Sequence, residues 1–267
     1  MSGGHISSEM PVSSDLVGSL LRGCDLRDHS AVLLFGEPRV LSNGVHLPVP
    51  DGSKRLLAFV ALAAGRVDRR CAAGSLWPIG SDERAAGNLR SALWRLKAAG
   101  IDVLESDHGT LALRRATLVD ARVASDWAAR LVRGSPTAHD LHAASGRGDA
   151  LDLLPGWSED WVIFEREHIR QRLLHALEAL SRHLVAVGRC ADAVNAAMWA
   201  VGAGPLRESA IRVLIEAHLA EGNLVEARRV YQAYRDTVRR ELGVEPGRHL
   251  TDLVRSGNRY RDTVTAG

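Results

Sequence analysis

The sequence of 267 residues lacks the features that mark several large classes of protein. Aromatic residues make up only 4% of the chain, although hydrophobic residues of all kinds make up 46%. Leu, Val and Ala must therefore build most of the core, and this composition favours helices. No run approaches the roughly 18 consecutive apolar residues of a membrane-spanning helix, so we expect no membrane association.

Cysteine is also scarce. The three cysteines, Cys24, Cys71 and Cys190, lie far apart and form no CxxC motif, so we expect reduced thiols and a cytoplasmic protein. The first residues, MSGGHISSEMPVSSD, contain neither a basic segment nor an apolar one. We therefore expect no secretory signal peptide.

Motifs for catalysis and cofactor binding are missing as well. The sequence contains no GxxxxGK[ST] phosphate loop, no GxSxG and no HExxH. His168, His175 and His183 are spaced more widely than a pair of metal ligands one helical turn apart, and ordinary surface histidines are the simpler interpretation. We expect no enzyme, no metal site and no cofactor.

Charge is balanced over the whole chain but not along it. The net charge is +2, from 34 basic and 32 acidic residues. Residues 52–115 alone contain 11 basic and six acidic residues, a net charge of +5, so the remainder is net acidic. A basic surface, if the protein has one, must lie in this segment.

The first half of the chain has the pattern of a small mixed domain. Two β-like runs after Ala31 meet at Asn43-Gly44, a strong hairpin signal because both residues tolerate positive φ. Three helices are expected next, over 54–65, from an N-cap at Asp68 to Trp77, and over 82–97.

The segment after these helices completes the domain. Residues 102–114 alternate around Asp107-His108-Gly109 as a β-hairpin does. The order of strands, three helices and a hairpin predicts a winged helix-turn-helix domain over residues 30–116. Residues 1–29 are rich in Ser and Gly and are expected to form a flexible extension, since DLVGSLL is too short to hold a helix alone.

The second half, residues 117–267, is predicted to be an all-α domain with an internal repeat. Gly188 and Gly222 lie 34 residues apart, as do Ala193 and Ala227. Four further pairs of positions keep the same offset, and each unit reads as helix, Gly turn, helix. A 34-residue period of this kind is typical of tetratricopeptide repeats. The expected fold class is therefore mainly α with a small β component.

Residues 82–97, DERAAGNLRSALWRLK, carry an unusual polar pattern. On a helix with about 100° per residue, Arg84, Asn88, Ser91 and Arg95 share one stripe. The apolar residues of the segment fill a separate arc, and Arg90 and Lys97 flank it. A charged stripe on an amphipathic helix is usually a solvated face. The scarcity of acids and the hairpin that follows favour a second interpretation, a helix that binds DNA.

Each polar residue then has an expected role. Arg84 and Arg95 would contact bases or phosphates, Asn88 and Ser91 would read base edges, and Arg90 and Lys97 would contact the DNA backbone. At the hairpin tip, His108, Gly109 and Thr110 would reach the adjacent backbone.

Four segments resemble one family of bacterial regulators. They are LFGEPRVLSNGVHLPVPDGSKRLLAFVALAAGRV, LWPIGSDERAAGNLRSALWRLK, LLPGWSEDWVIFEREHIRQRLLHALEAL and VYQAYRDTVRRELGVEPGRHLTDL. These segments are similar to the Streptomyces antibiotic regulatory protein (SARP) family, over about residues 31–255. Members of that family join an OmpR-like winged helix to a bacterial transcriptional activator domain of tetratricopeptide-like helices.

The resemblance implies a transcriptional activator. Such proteins bind direct repeats of double-stranded DNA near promoters, usually as side-by-side copies or dimers, and contact the RNA polymerase holoenzyme. By position, residues 82–98 would be the recognition helix, 69–77 the positioning helix and 102–114 the wing. Because no phosphate loop is present, the chain resembles the small members that lack an ATPase domain. The alternative is an interaction scaffold, in which the repeat half binds a peptide and the winged helix does not bind DNA.

Overall fold

The computed structural model describes residues 16–24, 29–63, 65–145 and 151–264. Most of these residues are helical, and the predicted class, mainly α with a small β component, is confirmed. The helices are α1 (Leu16–Arg22), α2 (Asp51–Leu62), α3 (Arg69–Leu76), α4 (Asp82–Ala98), α5 (Asp120–Val132), α6 (Asp160–Ala186), α7 (Cys190–Ala203), α8 (Glu208–Ala220), α9 (Leu224–Leu242) and α10 (Arg248–Val264). The strands are β1 (Ser30–Leu33), β2 (Arg39–Ser42), β3 (Val45–Leu47), β4 (Val67–Asp68), β5 (Leu104–Ser106), β6 (Thr110–Leu113) and β7 (Thr117–Val119).

The first sheet has four strands in the order β3-β2-β1-β7. Strands β2 and β3 form an antiparallel hairpin whose turn residues, Asn43 and Gly44, have φ angles of 49° and 76°, so the predicted hairpin is confirmed. The β-like run before this turn was predicted as one strand. It forms two strands, β1 and β2, and Gly36 lies between them. Strand β7 returns from beyond the wing and pairs in parallel with β1.

Helices α2, α3 and α4 and a second sheet, ordered β4-β6-β5, form the winged helix-turn-helix. Asp68 caps α3 as predicted, because its carboxylate accepts hydrogen bonds from the backbone N–H groups of Arg70 and Cys71. Ser81 caps α4. Helix α2 begins at Asp51 and ends at Leu62, so it starts and stops three residues earlier than the predicted range 54–65.

The second half consists of helix pairs, as the repeat predicts. A turn at Gly188 joins α6 to α7, and the equivalent turn at Gly222 joins α8 to α9. The two glycines have φ angles of 77° and 85°, which a residue with a side chain rarely adopts. Ala193 and Ala227, one turn into the second helix of each pair, are fully buried, which lets the paired helices approach closely.

The expectation of a flexible extension over residues 1–29 needs correction for part of its length. Residues 1–15 and 25–28 lie outside the described residues. Between them, α1 packs against α5 and the 3-10 helix Asp140–Ser145, and four of its apolar side chains are buried: Leu16, Val17, Leu20 and Leu21. Seven residues cannot sustain a helix by propensity, and here tertiary packing stabilises it.

One hydrophobic core joins the two halves of the chain. It runs without interruption from α1 and the first sheet through the winged helix to α5, α6 and α7. Buried Asp120, at the start of α5, accepts hydrogen bonds from the backbone N–H groups of Leu34 and Phe35 at 2.7 and 3.0 Å. The predicted domain boundary between residues 116 and 117 stays a prediction, and β7 on its far side pairs with β1 on its near side.

Candidate DNA-binding surface

The winged helix fixes α4 through one apolar face. Four side chains of this helix, Ala85, Leu89, Ala92 and Leu96, are at most 6% exposed and point into the core. Fully buried Ser53 of α2 donates a hydrogen bond of 2.8 Å to the main-chain oxygen of Ala92. This bond and the apolar contacts hold α4 against α2 in a fixed orientation, and that orientation decides which residues face outward.

The centre of the outward face does not coincide with the predicted stripe. At about 100° per residue, the direction opposite the buried residues passes close to Gly87 and Trp94. Trp94 is 70% exposed. The stripe lies to one side of this line, and Asn88 within it is only partly exposed. At its far end the guanidinium of Arg95 lies against Gly52, at the start of α2.

The basic residues of α4 are exposed to solvent. Among the described residues, Arg84, Arg90, Arg95 and Lys97 are all exposed and form no ion pair. Arg66, just before β4, by contrast pairs with Glu105 and Asp107 of the wing. Acidic residues on α4 are confined to its first turn, Asp82 and Glu83. The outward face therefore presents uncompensated positive charge that an anionic partner can neutralise.

The wing tip is organised by one carboxylate. Asp107 accepts hydrogen bonds from the backbone N–H groups of Gly109 and Thr110, at 2.9 and 2.6 Å, and from the Thr110 hydroxyl. Backbone donors, Thr110 first and Gly109 next, hold the pKa of Asp107 well below its usual value. Of the three predicted wing residues, only His108 has a side chain that is exposed and free to contact a partner. Gly109 and Thr110 use their donors inside the tip.

A groove runs between α3, α4 and the wing. Its volume is about 550 Å³, and its basic lining includes Arg69, Arg70, Arg90 and His108. Asp82 and Glu83 line the end nearest the start of α4. The backbone N–H of Arg69 donates to the main-chain oxygen of Gly109 at 2.9 Å, so the wing tip is attached to the start of α3. The structure thus brings Arg90 and His108 together in one groove, whereas Arg84, Asn88, Ser91 and Arg95 do not line it.

The sequence predicts α4 and the charged residues on it, but it did not identify Trp94 as an outward-facing residue. The signal was present, because Trp94 lies far from the apolar arc on the helical wheel. Its apolar character made a role in packing the natural interpretation.

In the described residues no group of three or more His, Cys, Asp or Glu side chains could hold a metal ion. Nor is any described helix both long and apolar enough to cross a membrane.

Comparison with known families decides the class of protein. The model of the bacterial transcriptional activator domain matches residues 106–256, which extend from the wing to α10. The chain belongs to this family. The bacterial transcriptional activator domain and the winged helix before it make the protein a transcriptional regulator of the SARP type, which confirms the predicted resemblance.

Two relatives agree with this assignment. Regulatory protein AfsR of Streptomyces griseus is 28% identical over an alignment of 217 residues that covers 76% of this chain and 22% of AfsR. A solved structure of Mycobacterium tuberculosis EmbR, in complex with a low affinity phosphopeptide, superposes with a TM-score of 0.65 at 18% identity. The match covers 87% of this chain and 65% of EmbR, and it shows that the fold is shared. The chain thus spans about a fifth of AfsR and less than two thirds of EmbR.

Proposed function

We propose that the protein is a sequence-specific DNA-binding activator that binds promoter repeats through α4 and the wing. The observation that carries the proposal is the set of four exposed cations on α4 that form no ion pair among the described residues. The major groove of B-DNA admits one α-helix, and phosphate neutralisation supplies much of the affinity of such complexes.

The positions of the residues suggest which part of the DNA each would contact. Arg84 and Arg95 lie at opposite ends of the stripe and would contact bases or phosphates, while Asn88 and Ser91 between them would read base edges. Arg90 and Lys97 lie on the other flank, where they would neutralise phosphates. His108 would contact the backbone beside the groove, and Asp107 would keep the wing tip in shape for that contact.

The helical half would supply the regulatory contacts. A winged helix of residues 30–116 would hold the DNA, and residues 117–267 would contact RNA polymerase or a second copy bound to the adjacent repeat. Because one core joins the halves, a contact made by the helices is held in a fixed relation to the bound DNA. Such a regulator would act in the cytoplasm, where the bacterial chromosome lies.

Footprinting on genomic fragments, followed by fluorescence anisotropy on the protected duplex, tests the proposal. We expect affinity to fall linearly with the logarithm of salt concentration. Arg90→Ala should reduce the slope of that line by about one unit, as the loss of one phosphate contact does. Arg95→Ala should weaken binding by about 1–3 kcal/mol if its guanidinium reads a guanine. Arg172→Ala is the matched control, since Arg172 is exposed on α6 and forms no ion pair among the described residues.

A peptide-binding scaffold is the second candidate. It is favoured by apolar side chains that the helical half exposes, among them Phe164 at 77% and Met198 at 56%. The same measurements separate the two functions. A protein that protects no genomic fragment, or whose weak affinity for DNA does not change with salt concentration, would be a scaffold and not a DNA-binding activator.

A further inference from the structure

Trp94 is the residue of α4 that the roles above leave unused. Its side chain is 70% exposed, although indole rings usually bury most of their surface. It lies at the centre of the outward face, two helical turns after Gly87 and nearly in line with it. In the free protein this large apolar side chain is therefore available to contact the partner of α4.

The surroundings of the ring narrow the choice of partner. Trp94 lines a shallow depression of about 390 Å³ with Arg90, Ser91 and Arg95. Both arginines are exposed and lack ion pairs among the described residues, and the acids of α4 lie about three helical turns away. An apolar ring between two free guanidiniums suits a partner that combines apolar groups with dense negative charge.

The major groove of DNA is such a partner. Thymine alone among the four bases presents a methyl group there, and apolar side chains recognise it by direct contact. The phosphates on either side would neutralise Arg90 and Arg95. Gly87 helps, because a Cβ built on it meets no atom closer than Arg90 Nη2 at 3.8 Å, so the helix surface in front of the ring is open.

We propose that Trp94 is a specificity residue that packs against the C5 methyl group of a thymine in the binding site. This inference rests on the proposed DNA-binding function and adds a base that the polar stripe does not read. Trp94, at the outward centre of α4, would then recognise an A·T pair through its methyl group. Ser91 and Asn88 would contact the polar edges of bases to one side.

Replacement of single thymines by deoxyuridine tests the contact, because it removes the methyl group and keeps base pairing. On the footprinted duplex, the unaltered protein should lose about threefold to fivefold in affinity at one thymine, the effect of one buried methyl group. Trp94→Ala should bind the unmodified duplex about tenfold or more weakly, and it should no longer distinguish uridine from thymine at that position. Trp94→Phe should keep much of the affinity and the preference for thymine.

Controls separate this inference from the function on which it rests. Val187→Ala shortens an apolar side chain that is 58% exposed in the turn between α6 and α7, outside α4 and the wing, and should change neither affinity nor the response to uridine. Circular dichroism and thermal unfolding establish that each variant is folded. If the unaltered protein binds its site but Trp94→Ala binds equally well, or keeps the same response to uridine, this inference is wrong and DNA binding stands. If the unaltered protein binds no site, the proposed function itself fails.

Discussion

Gly87 is a residue whose presence the fold does not require. It lies inside α4 with ordinary helical backbone angles, and a Cβ added there would meet only the end of the Arg90 side chain, at 3.8 Å. Glycine within a helix costs about 1 kcal/mol relative to alanine. Because no internal contact offsets that cost, we infer that Gly87 is kept for close approach to the binding partner.

Gly87→Ala should therefore have opposite effects on stability and on binding. We expect the variant to unfold at a higher temperature, by a few degrees for a gain of about 1 kcal/mol. We also expect weaker binding to the footprinted duplex, since the added methyl group would enlarge the centre of the groove-facing surface. Calorimetry and anisotropy measure the two effects. A stabilised variant with unchanged affinity would show that DNA does not approach α4 at this residue.

The residues of the site were only partly predictable, and the reason is geometric. The alternation of Ala85, Leu89, Ala92 and Leu96 with polar residues defines the buried face of α4, and the structure confirms it. The outward direction lies opposite that face, whereas the charged residues predicted to bind DNA lie in the stripe beside it. Whether a cation is paired depends on residues distant in sequence, as the bonds between Arg66 and the wing illustrate, and no local pattern reveals it.

At the scale of elements, an ion pair between partly exposed Arg130 and buried Asp140 connects α5 to the 3-10 helix that follows it. Asp140 is 1% exposed and accepts two hydrogen bonds from Arg130, at 2.9 and 2.7 Å, and one from the backbone N–H of Thr137. Burial raises the pKa of Asp140, but these hydrogen bonds outweigh it and hold the pKa at about 2. Helix α1 packs on both elements, so this pair supports a segment that the sequence predicts to be a flexible extension.

The lowered pKa predicts loss of stability in acid. A carboxyl whose pKa is lower in the folded than in the unfolded protein stabilises the fold above its unfolded value, near pH 4. That contribution is lost as pH falls towards about 2. We expect urea unfolding to show Asp140→Asn less stable by about 1–2 kcal/mol near pH 6, with the difference shrinking near pH 3. A difference that stays constant over this range would assign the effect to packing and not to the charge of Asp140.

Elements with local signals were predicted well, whereas those that depend on distant contacts were not. Asp68 and the Asn43-Gly44 turn act within a few residues of themselves, and both are found as expected. Helix α1 has no such signal and exists because α5 covers it. Helix α2 begins at Asp51, three residues before its predicted start at residue 54, and it packs on α4.

At the scale of the whole molecule, stability should decrease towards the last helices. The main core includes α8 only through Ala210 and Ala217. The packing of α8 against α9 and α10 relies on a separate cluster of six buried residues: Ile211, Ile215, Ala227, Tyr234, Val238 and Leu250. In a repeat array each unit contacts only its neighbours, so the last unit is supported from one side.

Amide hydrogen exchange should therefore separate the molecule into two stability levels. We expect amides of α9 and α10 to exchange at least about tenfold faster than those of α6 and α7, because opening the last helices exposes far fewer buried residues than the main core contains. Leu250→Ala should increase exchange in α9 and α10 and leave α4 unchanged, since Leu250 is buried only in that cluster. If α4 and α6 lost protection together with α9, the two clusters would unfold as one unit. The helical half would then transmit a change at its far end directly to the proposed DNA-binding surface.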